Sequence, residues 1–152
     1  MNRVIIAILL MLSITTVKAQ KFNKEKAEIN TIIGQFRECI IKKDSATFIN
    51  LFTPEAFVWA GVLKNRNVNL KNCYFSNYHN FYKFLTAKEK QEEVFKNIRI
   101  TNDDVIGSVV FDYSYLEDGK MTNQGKEFWH IIKMNGKWKI VSVIYSIGTT
   151  DS

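Results

Sequence analysis

The chain has 152 residues, of which 46% are hydrophobic and 13% aromatic, with 21 basic groups, 15 acidic groups and two cysteines. That length holds one domain and excludes a multidomain enzyme, and the composition is that of a globular protein rather than a disordered or fibrous one. The formal charge of +6 is scattered, with acids among the lysines, so no dense basic cluster offers a phosphate-backbone footprint and no nucleic-acid partner is expected.

Residues 1–19 read as a secretory signal peptide. Arg3 precedes the apolar run from Val4 to Leu12, and Val17-Lys18-Ala19 supplies the small residues of a cleavage site before Gln20. The run is shorter than the roughly 20 apolar residues a membrane span needs. No cysteine follows the cleavage point to carry a lipid, so no stable membrane anchor is expected. Loss of Arg3 and Lys18 leaves residues 20–152 as a single exported domain, periplasmic or secreted, with a formal charge of +4.

From Glu25 to Lys43, Ile29, Ile32, Ile33, Phe36 and Ile40 recur at three- and four-residue steps, the period of a helix that buries one stripe. Lys42 and Lys43 suit its carboxyl end through the helix dipole. Asp44 suits the amino cap of a short second helix carrying Phe48, Leu51 and Phe52, which Pro54 stops. Phe57-Val58-Trp59-Ala60 is β-branched and aromatic and predicts a strand, with Gly61 as a turn or bulge. The Asn-rich stretch from Lys64 to Asn80 lacks periodicity and reads as a loop or lid. A third helix is predicted over about 78–92, where Phe81, Phe84 and Leu85 share a face with Tyr78 and Tyr82 close to it.

Val94 to Ile100 is strand-like, Asn102-Asp103-Asp104 is a turn, and Val105 to Leu116 is a long strand. Asp118-Gly119 and Asn135-Gly136 read as hairpin turns on either side of a strand from Lys126 to Met134, before a last strand from Trp138 to Ile147. Together these predict a four-stranded antiparallel meander. In the long strand Val105, Val109, Phe111, Tyr113 and Tyr115 share one parity, which should face the helices. In the last strand Trp138, Ile140 and Ile144 take one parity, while Val141, Val143, Tyr145 and Ile147 take the other. A sheet solvated on one side should alternate cleanly, so the outer face is expected to be covered by a second copy in a homodimer.

The order of elements, the phrase Leu51-Phe52-Thr53-Pro54-Glu55-Ala56-Phe57-Val58 and the closing Gly136-Lys137-Trp138-Lys139-Ile140-Val141-Ser142-Val143 resemble the nuclear transport factor 2-like superfamily. That group includes SnoaL-like polyketide cyclases, ketosteroid isomerases and the association domain of calcium/calmodulin-dependent kinase II. The resemblance covers the whole mature chain and implies an α+β, cone-shaped fold: three N-terminal helices on a curved antiparallel sheet, with a pocket between them. Many members end the last strand with His-x-Ser; Ile144-Tyr145-Ser146 stands there in this chain.

Asp112, mid-strand between Phe111 and Tyr113, and His130 are the candidates for acid/base work, with the Tyr113 phenol as a hydrogen-bond donor. The parity of Asp112 equally suits an outward residue paired with a lysine, and a lone strand histidine equally suits a core or interface position. His79 and His130 have no carboxylate at ligand spacing, so no metal site and no cofactor is expected. No nucleophile elbow, phosphate loop or dinucleotide fingerprint occurs. Cys39 and Cys73 could bridge in an oxidising compartment, and Cys39, on the apolar face of the first helix, equally suits a buried free thiol.

Trp59, Tyr78, Tyr82, Tyr113, Tyr115 and Trp129 are the aromatics that the resemblance would gather around one pocket, where they would suit a flat or apolar ligand. Asn123 and Glu127 suit either its rim or the surface. The function expected first is an exported domain that binds a small hydrophobic or aromatic molecule. The alternatives are a SnoaL-like or isomerase-like enzyme acting on such a molecule, and a homodimeric interaction module without ligand.

Overall fold

Residues 24–54, 57–64, 73–76 and 85–149 are described by the computed structural model. Helix α1 runs over residues 24–42 and buries Ile29, Ile32, Ile33, Phe36, Cys39 and Ile40 along one stripe, as their spacing requires. Lys43, at φ 55°, ends it. Asp44 then starts α2, Ser45–Asn50, by accepting a hydrogen bond from the Thr47 N–H at 3.0 Å. That bond satisfies one of the amides orphaned at a helix start.

Six strands form one sheet: β1 Val58–Leu63, β2 Cys73–Ser76, β3 Gln91–Asn102, β4 Ile106–Glu117, β5 Lys120–Met134 and β6 Lys137–Thr149. Their order is β2-β1-β6-β5-β4-β3. The last four strands in sequence make the antiparallel meander. β1 joins its far side in parallel with β6, and β2 pairs antiparallel with β1 as the edge. Both hairpin turns have two central residues at positive φ, Asp118 and Gly119 at 49° and 77°, Asn135 and Gly136 at 50° and 76°. This twist matches that of the strands they join.

The core lies between α1, α2 and one face of the sheet. Phe36 sits at its centre, 4.9 Å from Phe48 and 4.7 Å from Trp129 between ring centroids. Val109, Phe111, Ile131, Trp138, Ile140 and Val143 supply the sheet side. At the start of α1, Lys133 of β5 reaches Glu28 at 3.0 Å and Glu25 at 3.7 Å, and the Asn102 amide donates to Glu25 at 3.0 Å. These contacts fix the rotation of the helix over the sheet.

β5 begins at Lys120 rather than Lys126, because its first residues pair with the end of β4, β2 lies within the stretch read as a loop, and Gly61 pairs inside β1 rather than making a turn or bulge. Three further expectations change. β3 begins at Gln91, not Val94: Gln91, Glu92 and Glu93 pair with Glu117, Leu116 and Tyr115, so a long-range ladder claims residues that local periodicity assigned to a third helix. Before it, residues 85–86 make only a 3₁₀ turn, and residues 77–84, where the rest of that helix was expected, lie outside the described residues. β4 begins at Ile106, and Val105 lies in the preceding turn, 58% exposed, with its N–H on the Asp103 carboxylate at 2.8 Å.

The third change concerns the last strand. Ile131 faces Ile140 whereas His130 faces Ser142, which leaves Val141 as a bulge. A bulge shifts parity by one residue, so Trp138 and Ile140 before it and Val143 and Tyr145 after it all face the helices. The mixed pattern is therefore a break in register within a strand whose inner face is consistently apolar.

Candidate functional site

Strand alternation aims one row of side chains from each strand at the space beneath α1. β3 contributes Glu93 and Phe95, β4 Phe111, Tyr113 and Tyr115, β5 Glu127 and Trp129, β6 Tyr145, and β1 Trp59. Registry brings Glu93 opposite Tyr115, and Glu127 opposite both Phe111 and Tyr145. Gly61 faces Tyr145 across the β1–β6 pair. A Cβ on Gly61 would stand 2.7 Å from Cζ of Tyr145, so the missing side chain is what lets the phenol ring lie against β1. The Tyr145 hydroxyl then accepts a hydrogen bond from the Trp59 indole at 3.3 Å.

Two carboxyl groups sit among these rings. Glu127 is 3% exposed, and its Oε1 accepts the Trp129 indole N–H at 2.5 Å. Glu93 as a residue is only part-buried, yet its Oε2 is sealed from solvent and has no hydrogen-bond partner. Arg37 of α1 is the cation beside Glu93. It donates its Nε–H to the Glu93 main-chain carbonyl at 2.9 Å, and its guanidinium lies 5.9 Å from the Phe95 ring centroid.

Burial pushes the Glu127 carboxyl up to about 8, against the opposing effect of the Trp129 hydrogen bond. Burial, and then the charge of Glu127, raises Glu93 well above the usual carboxylate range, with Arg37 opposing. Burial disfavours the ionised form of both acids, and Glu127, at about 8, keeps its proton at neutral pH. The Tyr113, Tyr115 and Tyr145 phenols are pushed up as well, first by burial. They remain protonated, and Tyr113 donates to the Ser146 carbonyl at 3.0 Å. The arrangement offers protonated donors, carboxylate acceptors and aromatic faces in one place.

Of the aromatics singled out in the sequence, Trp59, Tyr113, Tyr115 and Trp129 converge here, although Trp129 is fully buried and belongs to the core. Tyr78 and Tyr82 lie outside the described residues. Asp112, His130 and Tyr113 do not assemble into a proton-transfer site, because Asp112 and His130 occupy the opposite face of the sheet from Tyr113. Asp112 is bound by Lys126 at 2.6 Å and Asn97 at 2.7 Å, and the Asn97 and Lys126 hydrogen bonds hold its carboxyl below the usual range. His130 is exposed, shares a 2.8 Å hydrogen bond with Ser142, and lines an open hollow of about 590 Å³ with Ile106 and Ile132.

Cys39 and Cys73 are not bridged to each other: the first is packed in the core on the inner stripe of α1, and the second begins the edge strand β2. Asn123 is half-buried on β5, and Glu127 is interior rather than on a rim. Arg37, Glu93 and Tyr145 are the members that sequence reasoning missed. The usable signal was parity, since Glu127 alternates with Trp129 and Ile131, and Glu93 with Phe95.

Residues 25–148 match the family model of the calcium/calmodulin dependent protein kinase II association domain. The chain belongs to that association-domain family. Its fold is that of the nuclear transport factor 2-like superfamily, and this association-domain chain is similar to solved structures of the same kind. An NTF2-like protein of unknown function from Shewanella baltica is 19% identical, with 85% of this chain and 98% of that one covered and a TM-score of 0.65. A provisionally assigned dehydratase of the NTF2-like family from Streptomyces avermitilis is 13% identical, with 84% and 99% covered and a TM-score of 0.65. The beta subunit of a provisionally assigned aromatic-ring-hydroxylating dioxygenase from Novosphingobium aromaticivorans is 14% identical, with 84% and 91% covered and a TM-score of 0.66. These likenesses establish the fold of the association-domain chain. No curated protein sequence matches it.

Proposed function

We propose that the protein binds a small molecule with an aromatic or apolar body at the inner face of its sheet, with Glu93 and Glu127 as the polar pole. The observation that carries this reading is the sealed, unpartnered Oε2 of Glu93, on the same face of the sheet as the buried Glu127 carboxyl. A buried acceptor left without a partner costs about 1–3 kcal/mol, more when it is charged, and such groups concentrate at functional sites. The half-buried Trp59, Tyr115 and Tyr145 rings would hold the body of the ligand. Native mass spectrometry of the purified protein tests this: a retained small molecule supports it, and a protein that is empty and binds nothing from an aromatic compound panel leaves the interaction-module reading.

A second reading is proton transfer on a small hydrophobic substrate. It is favoured by the Glu127 carboxyl, which at about 8 lies close enough to neutrality to give and take a proton. Conversion of a bound compound to a product, lost in E127Q, would select it over simple binding.

The protein is further proposed to be exported after removal of residues 1–19 and to form a homodimer. A mature amino terminus at Gln20 checks the first point. For the second, Phe75, Ala60, Ile144, Phe128 and Val110 follow one another across five strands of the outer face. Phe75, Ile144 and Phe128 are 69%, 39% and 43% exposed, with Ala60 buried between the first two, and such a row of exposed apolar side chains is of the kind that marks an interaction surface.

A further inference from the structure

We infer that the outer face of the sheet carries a separate site for a small phosphate, inorganic or as a soluble monoester, in the open hollow where Lys64, Lys96 and Lys126 converge around Asp112. The hollow has a volume of about 530 Å³, within the range of small-molecule sites. It lies on the opposite side of the sheet from the aromatic rings and is independent of them.

The pairing of strands assembles these lysines, which are far apart in sequence. Asp112 of β4 stands opposite Lys96 of β3 on one side and Lys126 of β5 on the other. Two residues further along β4, and so on the same face, Ser114 stands opposite Gln124, and Gln124 opposite Gly148 of β6. Lys64, just past β1, is held beside this row by its main-chain N–H, which donates to the Ile147 carbonyl at 2.7 Å. Its side chain lies over Gly148: a Cβ at that glycine would stand 3.5 Å from Cδ and 3.9 Å from Nζ of Lys64. The ammonium group is thereby brought to the wall of the hollow.

The charges in the hollow do not balance. Both oxygens of Asp112 are taken, Oδ1 by the Lys126 ammonium at 2.6 Å and Oδ2 by the Asn97 amide at 2.7 Å. Among the described residues Asp112 is the one acid lining the hollow, and neither Lys64 nor Lys96 has an ion pair. Three ammonium groups against one carboxylate leave two positive charges, which a phosphate dianion matches. Lysines meet a tetrahedral oxyanion as point charges, whereas a planar carboxylate calls for an arginine fork, and no arginine lines the hollow. The charged groups facing it are Lys64 from the end of β1, Lys96 of β3, Asp112 of β4 and Lys126 of β5, with Arg99 of β3 acting on Asp112. The Ser114 hydroxyl and the Gln124 amide add neutral donors to the same wall.

Proton–nitrogen NMR titration of the full protein with inorganic phosphate, glycerol 3-phosphate and acetate, at constant ionic strength, tests the inference. Both phosphates are expected to saturate and to bind about tenfold more tightly than acetate, the scale of two or three exposed ion pairs, with the Ser114, Gln124 and Gly148 amides shifting. Affinity should weaken below about pH 6, where phosphate takes up a second proton while the lysines keep their charge. K64Q and K96Q, which leave no acid unpaired, should each weaken phosphate about threefold, and D112N should tighten it by about the same factor. That gain cannot come from misfolding. K137Q, at the β5–β6 turn, should change nothing. Acetate binding as tightly as phosphate, no saturation at millimolar phosphate, or K64Q and K96Q behaving like K137Q would overturn the inference. Cosedimentation with phosphatidylcholine vesicles, with and without phosphatidic acid, separates a soluble monoester from a lipid headgroup. Retention on phosphatidic acid without saturation by the soluble phosphates overturns the small-ligand assignment.

Discussion

The indole N–H of Trp129 donates to the Glu127 carboxylate at 2.5 Å, from two residues further along the same strand. Residues two apart on a strand share a face, so the ring that fills the core beside Phe36 also supplies the hydrogen bond of a buried acid. Core packing and site electrostatics thus meet in one side chain.

Replacing that indole with phenyl separates the two roles. W129F keeps an aromatic ring in the core but removes the donor, and is expected to destabilise the fold by about 1–3 kcal/mol, the cost of an unsatisfied buried polar group, beyond what the smaller ring loses. Urea unfolding should show the larger loss at pH 9, where Glu127 is ionised, than at pH 6.

Stability should fall with rising pH across the neutral range. Glu127 is raised from a usual value of 4.5 to about 8. Between those values the folded state holds a proton that the unfolded chain has lost. The contribution is therefore fully present below about pH 4.5, declines as pH rises and levels off above about 8. Glu93, raised in the same direction, adds to the slope. In denaturant melts from pH 5 to pH 9, E127Q should flatten most of this dependence.

Gly61→Ala tests the seat of Tyr145. The added methyl would stand 2.7 Å from Cζ and 2.8 Å from the hydroxyl oxygen of that ring. Displacing the ring should cost about 1–3 kcal/mol, as overpacking does, and remove the Trp59 hydrogen bond. A thermal melt and a change in tryptophan fluorescence are the readouts.

On the outer face the expected effects are of two kinds. D112N removes an exposed partner of Lys126 and Asn97, and should leave unfolding and binding at the inner face unchanged. Phe128→Lys puts a charge into the middle of the apolar stripe and should shift the protein from dimer to monomer in light scattering at micromolar concentration. A wild-type protein that is already monomeric there would remove the dimer from the account.

Much of the fold was legible because its signals are local. The three- and four-residue steps of Ile29, Ile33, Phe36 and Ile40 sufficed for α1, the side-chain oxygen of Asp44 for the cap of α2, and the Asp-Gly and Asn-Gly pairs for both hairpins. What was hidden depends on distant partners. Gln91 and Glu92 become strand only because β4 is there to pair with them, and β2 exists because Tyr74 and Phe75 find Gly61 and Ala60. The bulge at Val141 inverted the apparent parity of the last strand and so misdirected part of the argument for a covered outer face. Within the site, the aromatic walls were readable by alternation. The acids were not, because a glutamate in a strand is usually solvated and only the assembled sheet encloses Glu93 and Glu127.

The central claim is that these two carboxyl groups, enclosed by the assembled sheet, hold their protons well above the ordinary glutamate range. Carbon-13 NMR titration of the glutamate side-chain carboxyls, with E93Q and E127Q for assignment, measures it directly. The account predicts a Glu127 midpoint near 8 and a Glu93 midpoint also well above the ordinary range, with removal of either acid lowering the midpoint of the other. Midpoints for both near the usual 4.5 would contradict it.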